Sequence, residues 1–171
     1  MLKLKEVRPT SGRVLSALFN ILGEFAPNIK FLDMFAGTGR VGFEAVKRGA
    51  EVFFIESVKP RADEIKKLSD SKKINCTVLN LEVRRAVKYL IKREIKFNYI
   101  FADPPYNSGW GEELTSLRDL NKIFADKCIF IFEHSTREEI RTGELEIFLN
   151  RDYGESSLTF LRMREIITGG K

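Results

Sequence analysis

The chain has 171 residues, 43% of them hydrophobic and 31% charged, with a formal net charge of +5. That is enough chain for one domain with its own core, so a single domain over residues 1–171 is expected, and no apolar run approaches the ~20 residues that cross a bilayer. The cationic excess favours a polyanionic partner such as nucleic acid, while two well-separated cysteines, Cys76 and Cys128, and one histidine, His134, argue against a zinc site or a disulfide framework, so no metal is expected.

Met1 to Glu6 holds no apolar signal core and no small-residue cleavage site, which makes the cytoplasm the default location. Arg8-Pro9-Thr10-Ser11 leads into a helix from Arg13 to Leu22, capped by Thr or Ser, with Val14, Leu18, Ile21 and Leu22 at helical spacing. A first strand is predicted over Lys30 to Met34. The loop Phe35-Ala36-Gly37-Thr38-Gly39 follows, and an amphipathic helix from Val41 to Arg48 stops at Gly49. Glu51 to Glu56 reads as a second strand, and Pro60 opens a helix reaching about Asp70, with Ala62, Ile65 and Leu68 inward.

Cys76 to Asn80 makes a third strand and Glu82 to Glu94 a helix whose outer stripe, Arg84, Lys88 and Lys92, suits a solvated face. The fourth strand, Phe97 to Ala102, runs straight into Asp103-Pro104-Pro105-Tyr106. Beyond it lie a predicted helix over Glu112 to Leu120, a fifth strand over Lys127 to Glu133 and a short helix over Thr136 to Ile140. Glu144 to Asn150 and Ser157 to Met163 form a closing hairpin joined by Arg151 to Glu155. Strand and helix in alternation give an α/β fold: a doubly wound, mostly parallel seven-stranded sheet with a C-terminal antiparallel hairpin. Ligands are expected at the carboxyl ends of its strands.

Three of those strand ends carry acids. Asp33 can accept hydrogen bonds from a ligand's ammonium or hydroxyl groups beside a loop whose Gly37, Gly39 and Gly42 satisfy G-x-G-x-x-G. By spacing alone that pattern suits NAD, FAD or S-adenosylmethionine. Glu56 follows near the ~20-residue offset at which an acid takes both hydroxyls of a ribose. Asp103 stands next to two prolines that lack N–H groups, so the turn offers acceptors without competing donors, which suits an exocyclic NH2. Acceptors on both hydrogens favour a pyramidal nitrogen with an available lone pair. Tyr106 can stack on the base and hold that nitrogen in line with a sulfonium methyl, a kind of orientation worth about 7–11 kcal/mol. A dehydrogenase would leave this second motif without a use.

In content and order, Arg8-Pro9-Thr10 before a helix with Leu18-Phe19-Asn20, then Asp33-Met-Phe-Ala-Gly-Thr-Gly, Asp103-Pro-Pro-Tyr and Tyr153-Gly154, the chain resembles the class I S-adenosylmethionine-dependent methyltransferases. Within them it is similar to the RsmD-type enzymes that methylate N2 of a guanine in bacterial 16S ribosomal RNA. The resemblance implies a Rossmann-like methyltransferase fold. It implies cofactor contacts from Asp33 and the loop Phe35, Ala36, Gly37, Thr38 and Gly39 around the methionine portion, from Glu56 at the ribose, and from Leu81 and Glu82 around the adenine, with Asp103 bordering the same site. Asp103, Pro104, Pro105 and Tyr106 would serve the target base, and Arg8, Pro9, Thr10 and Arg13 would contact substrate at the pocket mouth. Residues 1–28 would cover the cofactor site.

Family members commonly carry a longer basic segment before Arg-Pro-Thr, where this sequence has Met1 to Val7, so RNA would be held elsewhere, with Arg13, Lys47, Arg48 and Arg151 as candidates. The expected protein is a cytoplasmic monomer acting on rRNA within the small ribosomal subunit or an assembly intermediate. Two other functions fit the same motifs: an adenine-N6 methyltransferase acting on DNA, and a non-catalytic RNA-binding or assembly factor. His134, alone after a strand, reads as structural.

Overall fold

Short apolar runs that each hand over to an amphipathic helix can pair only in parallel, because the chain must climb back along the helix before the next strand begins. In the computed structural model, which describes residues 10–105 and 119–165, five such strands form the body of the sheet. They are β1 (Lys30–Asp33), β2 (Glu51–Ile55), β3 (Cys76–Leu79), β4 (Phe97–Ala102) and β5 (Phe124–Ser135). The helices between and before them are α1 (Gly12–Leu22), α2 (Arg40–Lys47), α3 (Lys59–Ser71) and α4 (Val83–Lys92), with a 3-10 turn over Leu120–Ile123. Two further strands, β6 (Leu145–Tyr153) and β7 (Ser156–Met163), close the sheet as a hairpin.

The strand order is β3-β2-β1-β4-β5-β7-β6, parallel from β3 to β5 and antiparallel at β5–β7 and β7–β6. The chain moves outward from β1 in one direction through β2 and β3, then returns to β4 and moves outward in the other. The connections leaving β1 and β4 therefore diverge, and a crevice opens between their carboxyl ends.

Both faces are covered. Val14, Leu18 and Phe19 of α1, Val41 and Ala45 of α2 and Ile65 of α3 pack with Phe31, Phe54, Phe101, Ile131 and Phe160. On the other face Val83, Ala86, Val87 and Leu90 of α4 pack with Leu32, Phe53, Phe97, Phe130 and Phe132. Neighbours such as Phe53 and Phe54 bury themselves in opposite layers, which is why these strands read as continuous apolar runs.

Most predicted bounds hold to within a residue or two, including the Ser11 cap, whose Oγ accepts the Val14 amide at 3.2 Å. Three expectations change. The short helix over Thr136 to Ile140 is a turn: the Thr136 amide is spent on the Glu155 carbonyl of the hairpin at 3.0 Å and the Arg137 amide on Ser135 Oγ at 3.3 Å. The fifth strand starts at Phe124 rather than Lys127 and runs past Glu133 to Ser135. The hairpin joint is tighter than Arg151 to Glu155, because β6 pairs on to Tyr153, opposite Ser156, leaving a two-residue turn with Gly154 at φ 69° in its first position. The helix expected from Glu112 lies outside the described residues up to 118, and Leu120 opens the 3-10 turn.

Candidate active site

The loop between β1 and α2 is built from main-chain amides and carboxylates. Gly37 (φ 55°) and Gly39 (φ 76°) take left-handed conformations that a side chain would strain, and they swing the chain from the strand into the helix. Gly42 is needed for space instead, since a Cβ there would overlap the buried ring of Phe54, and its absence lets α2 lie directly on β2. The amides of all three are engaged. Gly37 N–H donates to Glu56 Oε2 at 2.9 Å, Gly39 N–H to the Ala36 carbonyl at 2.6 Å, and Gly42 N–H to Asp33 Oδ2 at 3.0 Å.

This decides among the ligands that the glycine spacing leaves open. A dinucleotide site needs free loop amides to hold a pyrophosphate. Here carboxylates take two of them, and an anionic phosphate would meet Asp33 and Glu56. Burial lifts the Asp33 carboxyl to about 7, against the pull of the Gly42 amide and with a further push from Glu56. A site rich in acid and short of cations fits a ligand that brings its own positive charge, as the ammonium and sulfonium of S-adenosylmethionine do.

Glu56 departs from the simplest expectation. Both its oxygens already serve main-chain amides, Oε2 that of Gly37 and Oε1 that of Val58 at 2.7 Å. It ties the β1 loop to the start of α3, and its remaining lone pairs are what a ribose would use. Asn80, at the end of β3, braces the same corner by donating to the Glu56 carbonyl at 2.8 Å.

The second half of the crevice is made by side chains. Asp103 follows β4, and Glu133 lies near the end of β5, each one position beyond the Ala102–Phe132 pair in the register. Thr10, ahead of α1, inserts its hydroxyl between them, with Oγ1 3.1 Å from Asp103 Oδ2 and 3.0 Å from Glu133 Oε2. Burial first, then the nearby Glu133 charge, raise the Asp103 carboxyl to about 8; Thr10 opposes this and Asp33 adds to it. The Arg40 guanidinium donates to the Thr10 carbonyl at 3.2 Å and so fixes this segment to α2.

Together Thr10, Asp33, Phe35, Ala36, Gly37, Thr38 and Asp103 line a cleft of roughly 390 Å³, counted out to open solvent. Arg40, Val41 and Phe101 complete the lining, none of them expected from sequence. Gly39 and Glu56 shape the loop from behind. Leu81 is half-buried against the α4 layer and Glu82 is the exposed residue immediately before α4, with no capping bond from its side chain, both beyond the end of β3 and outside that lining. Pro104 is buried and Pro105 exposed; Arg8, Pro9 and Tyr106 lie outside the described residues. Of residues 1–28, Thr10 is the described part that reaches the cleft, while α1 covers the sheet face.

Arg13 is exposed on α1, and Arg151 is exposed on β6. Lys47 and Arg48 sit at the far end of α2, outside the cleft lining. Both pair with Glu44, and Arg48 also meets Glu24 and stacks on Phe19, so its charge is committed to the fold. His134 is structural as expected: its Nδ1 contacts the Ser135 carbonyl and its Nε2 the Thr159 hydroxyl, both at 2.8 Å. The thiols of Cys76 and Cys128 are free, and no metal-binding cluster occurs among the described residues. Besides the lining residues Val41 and Phe101, Glu133 and Arg40 are the hydrogen-bonding site residues that sequence reasoning missed.

Sheet order, the carboxylate-bound glycine loop and the Asp-Pro-Pro turn at the switch point define a Rossmann-like methyltransferase whose methyl donor is S-adenosylmethionine. The chain belongs to the family described as conserved hypothetical protein 95, the RsmD family, whose model matches residues 1–162. It is 29% identical over 164 residues to the putative rRNA methyltransferase YlbH of Bacillus subtilis, covering 92% of this chain and 88% of that one. To the ribosomal RNA small subunit methyltransferase D of Escherichia coli K12 it is 32% identical over 148 residues, 85% of this chain and 73% of that one. Among solved structures, the putative methyltransferase yhhF of Escherichia coli superposes with a TM-score of 0.77 at 26% identity, over 94% of this chain and 89% of that one.

Proposed function

We propose that this protein transfers a methyl group from S-adenosylmethionine to the exocyclic N2 of a guanine in bacterial 16S rRNA. The observation that carries the reading is the pairing in one crevice of a loop whose three glycine amides are already bonded with an Asp-Pro-Pro turn that presents acceptors. The former favours a cationic cofactor and the latter an amino group. The relatives that act on ribosomal RNA point to the same substrate.

The cofactor supplies a methyl group on a positively charged sulfur. Asp33 and the loop from Phe35 to Gly39 hold its amino-acid end, Glu56 its ribose, and Leu81 and Glu82 flank its adenine. Asp103 accepts an N–H of the target amine through Oδ1, an acceptor in either protonation state. Pro104 and Pro105 bring no competing N–H, and Tyr106 stacks on the base. Nothing in this scheme needs a covalent enzyme intermediate: the chain orients two reactants and takes up one proton. The protein works as a single domain over residues 1–171, in the cytoplasm and as a monomer, and Arg8, Pro9, Thr10 and Arg13 meet the RNA.

The test is mass spectrometry of nucleosides from 16S rRNA of a strain lacking the gene, complemented by wild type or by Asp103→Ala. Loss of N2-methylguanosine, restored by wild type alone, is the expected result. An unchanged rRNA profile together with N6-methylation of duplex DNA by the purified protein would replace rRNA with DNA as the substrate.

A further inference from the structure

The contact between Thr10, Asp103 and Glu133 contains a problem of hydrogen counting. A hydroxyl carries one hydrogen, yet Thr10 Oγ1 lies within hydrogen-bond distance of two carboxyl oxygens, at 3.1 Å and 3.0 Å. It can donate to one of them only. The other contact is attractive only if that carboxyl brings a proton of its own and donates it to Oγ1. Two adjacent strand ends fix the geometry, since Asp103 and Glu133 both follow the paired residues Ala102 and Phe132, and Glu133 is 3% exposed.

We propose that Glu133 is a positioning residue for methyl transfer, acting on Asp103 through the Thr10 hydroxyl as the terminal acceptor of the proton that the reaction releases. This rests on the methyl-transfer reading. In the free protein the order is Asp103 Oδ2–H to Thr10 Oγ1, and Thr10 Oγ1–H to Glu133 Oε2. Asp103 is neutral and holds the substrate amine with Oδ1, while Glu133 carries the charge.

When the amine's lone pair forms the N–C bond, the bond from that carbon to sulfur breaks and its electron pair stays on sulfur. The nitrogen becomes cationic and must lose one proton. That proton passes to Asp103 Oδ1, the Oδ2 proton moves to Thr10 Oγ1, and the Thr10 hydrogen moves to Glu133 Oε2. Asp103 ends as neutral as it began, and Glu133, now a neutral acid, later returns the proton to solvent. Burying two carboxyl groups side by side costs stability, and a proton path between them gives that cost a function.

The other groups that face Asp103 do not supply such a path among the described residues. Asp33 on β1 is bound to the Gly42 amide and Arg40 on α2 is turned to the Thr10 carbonyl, while His134 stacks on Phe132, on the other face of the sheet from Glu133, and is bonded to Ser135 and Thr159. The raised proton affinity of Asp103, with Glu133 as its second cause, agrees with the order drawn above.

The experiment is a carbon-13 NMR titration of the Asp103 carboxyl in the intact protein, wild type against Glu133→Gln, joined to steady-state kinetics of Glu133→Gln, Thr10→Val and Thr10→Ser. Gln keeps an acceptor for Thr10 and removes the charge, so the Asp103 midpoint should fall by about one pH unit or more. In Glu133→Gln and Thr10→Val, kcat should drop on the order of 100-fold with KM for S-adenosylmethionine unchanged, and Thr10→Ser should restore it. An Asp103 midpoint unmoved by Glu133→Gln, or Thr10→Val turning over like wild type, would overturn the proposal. The titration needs no RNA, so if wild type methylated no rRNA, the reading of function would fall while the titration still decided the link between Glu133 and Asp103.

Discussion

The two halves of the crevice are built from different materials. At the ends of β1 and β2, Asp33 and Glu56 are held by main-chain amides of the loop and of the start of α3. At the ends of β4 and β5, Asp103 and Glu133 are held by a side-chain hydroxyl from a residue 93 and 123 positions away in the chain. Main-chain amides cannot be changed without refolding the loop, whereas a hydroxyl is one substitution from absence. A cofactor shared by many enzymes can thus be met by backbone, while the side that chooses an acceptor is left to replaceable side chains.

The contrast between the halves is most exposed at Asp103. Asp103→Ala should lower methyl transfer about 1000-fold while leaving cofactor affinity, read by calorimetry, within a factor of a few. On the other half the strongest blow falls on packing rather than chemistry. Gly42→Val would drive methyl groups into the Phe54 ring and should cost on the order of 3 kcal/mol in urea unfolding. Glu56→Gln places an amide NH2 against the N–H of either Gly37 or Val58, and should weaken S-adenosylmethionine binding by about 2 kcal/mol, roughly 30-fold, with the fold retained.

A smaller effect, common to both halves, runs through pH, since the Asp103 carboxyl is raised as the Asp33 carboxyl is. Because the Asp33 carboxyl is raised from 3.8 to about 7, the folded protein holds a proton that the unfolded chain has lost. Stability of the ligand-free protein should therefore fall as pH rises from about 4 through 7. A single group contributes at most about 1.4 kcal/mol per pH unit. Between pH 6 and 7, Asp33→Asn should show a flatter profile than wild type in thermal unfolding, since Asn keeps an acceptor for Gly42 and has no charge to bury.

What could be read from sequence follows the same division. Strand ends that carry an acid before a glycine loop or a Pro-Pro turn announce themselves locally, which is why Asp33 and Asp103 were visible, and Glu56 was visible by its offset from that glycine loop. Glu133 gives no such signal: it closes an apolar run as an exposed strand-end residue would, and only the β4–β5 register buries it. Thr10 was legible through its motif, but its bridge between two carboxyls is a contact between distant parts of the chain. The start of β5 was hidden by the polar Asp126 and Lys127, the latter at φ 55°, where the β4–β5 register shifts. The helix expected at Thr136 lost to the Glu155 carbonyl, a partner that exists only once the hairpin has folded back.

The direct seat of α2 on β2, permitted by the missing side chain at Gly42, also bears on entropy. A loop anchored at both ends, with the amides of Gly37, Gly39 and Gly42 already bonded, has few conformations left to lose when a ligand arrives. Cofactor affinity then reflects the contacts made rather than the cost of ordering the loop, and the free and bound forms of residues 33–42 should superpose closely.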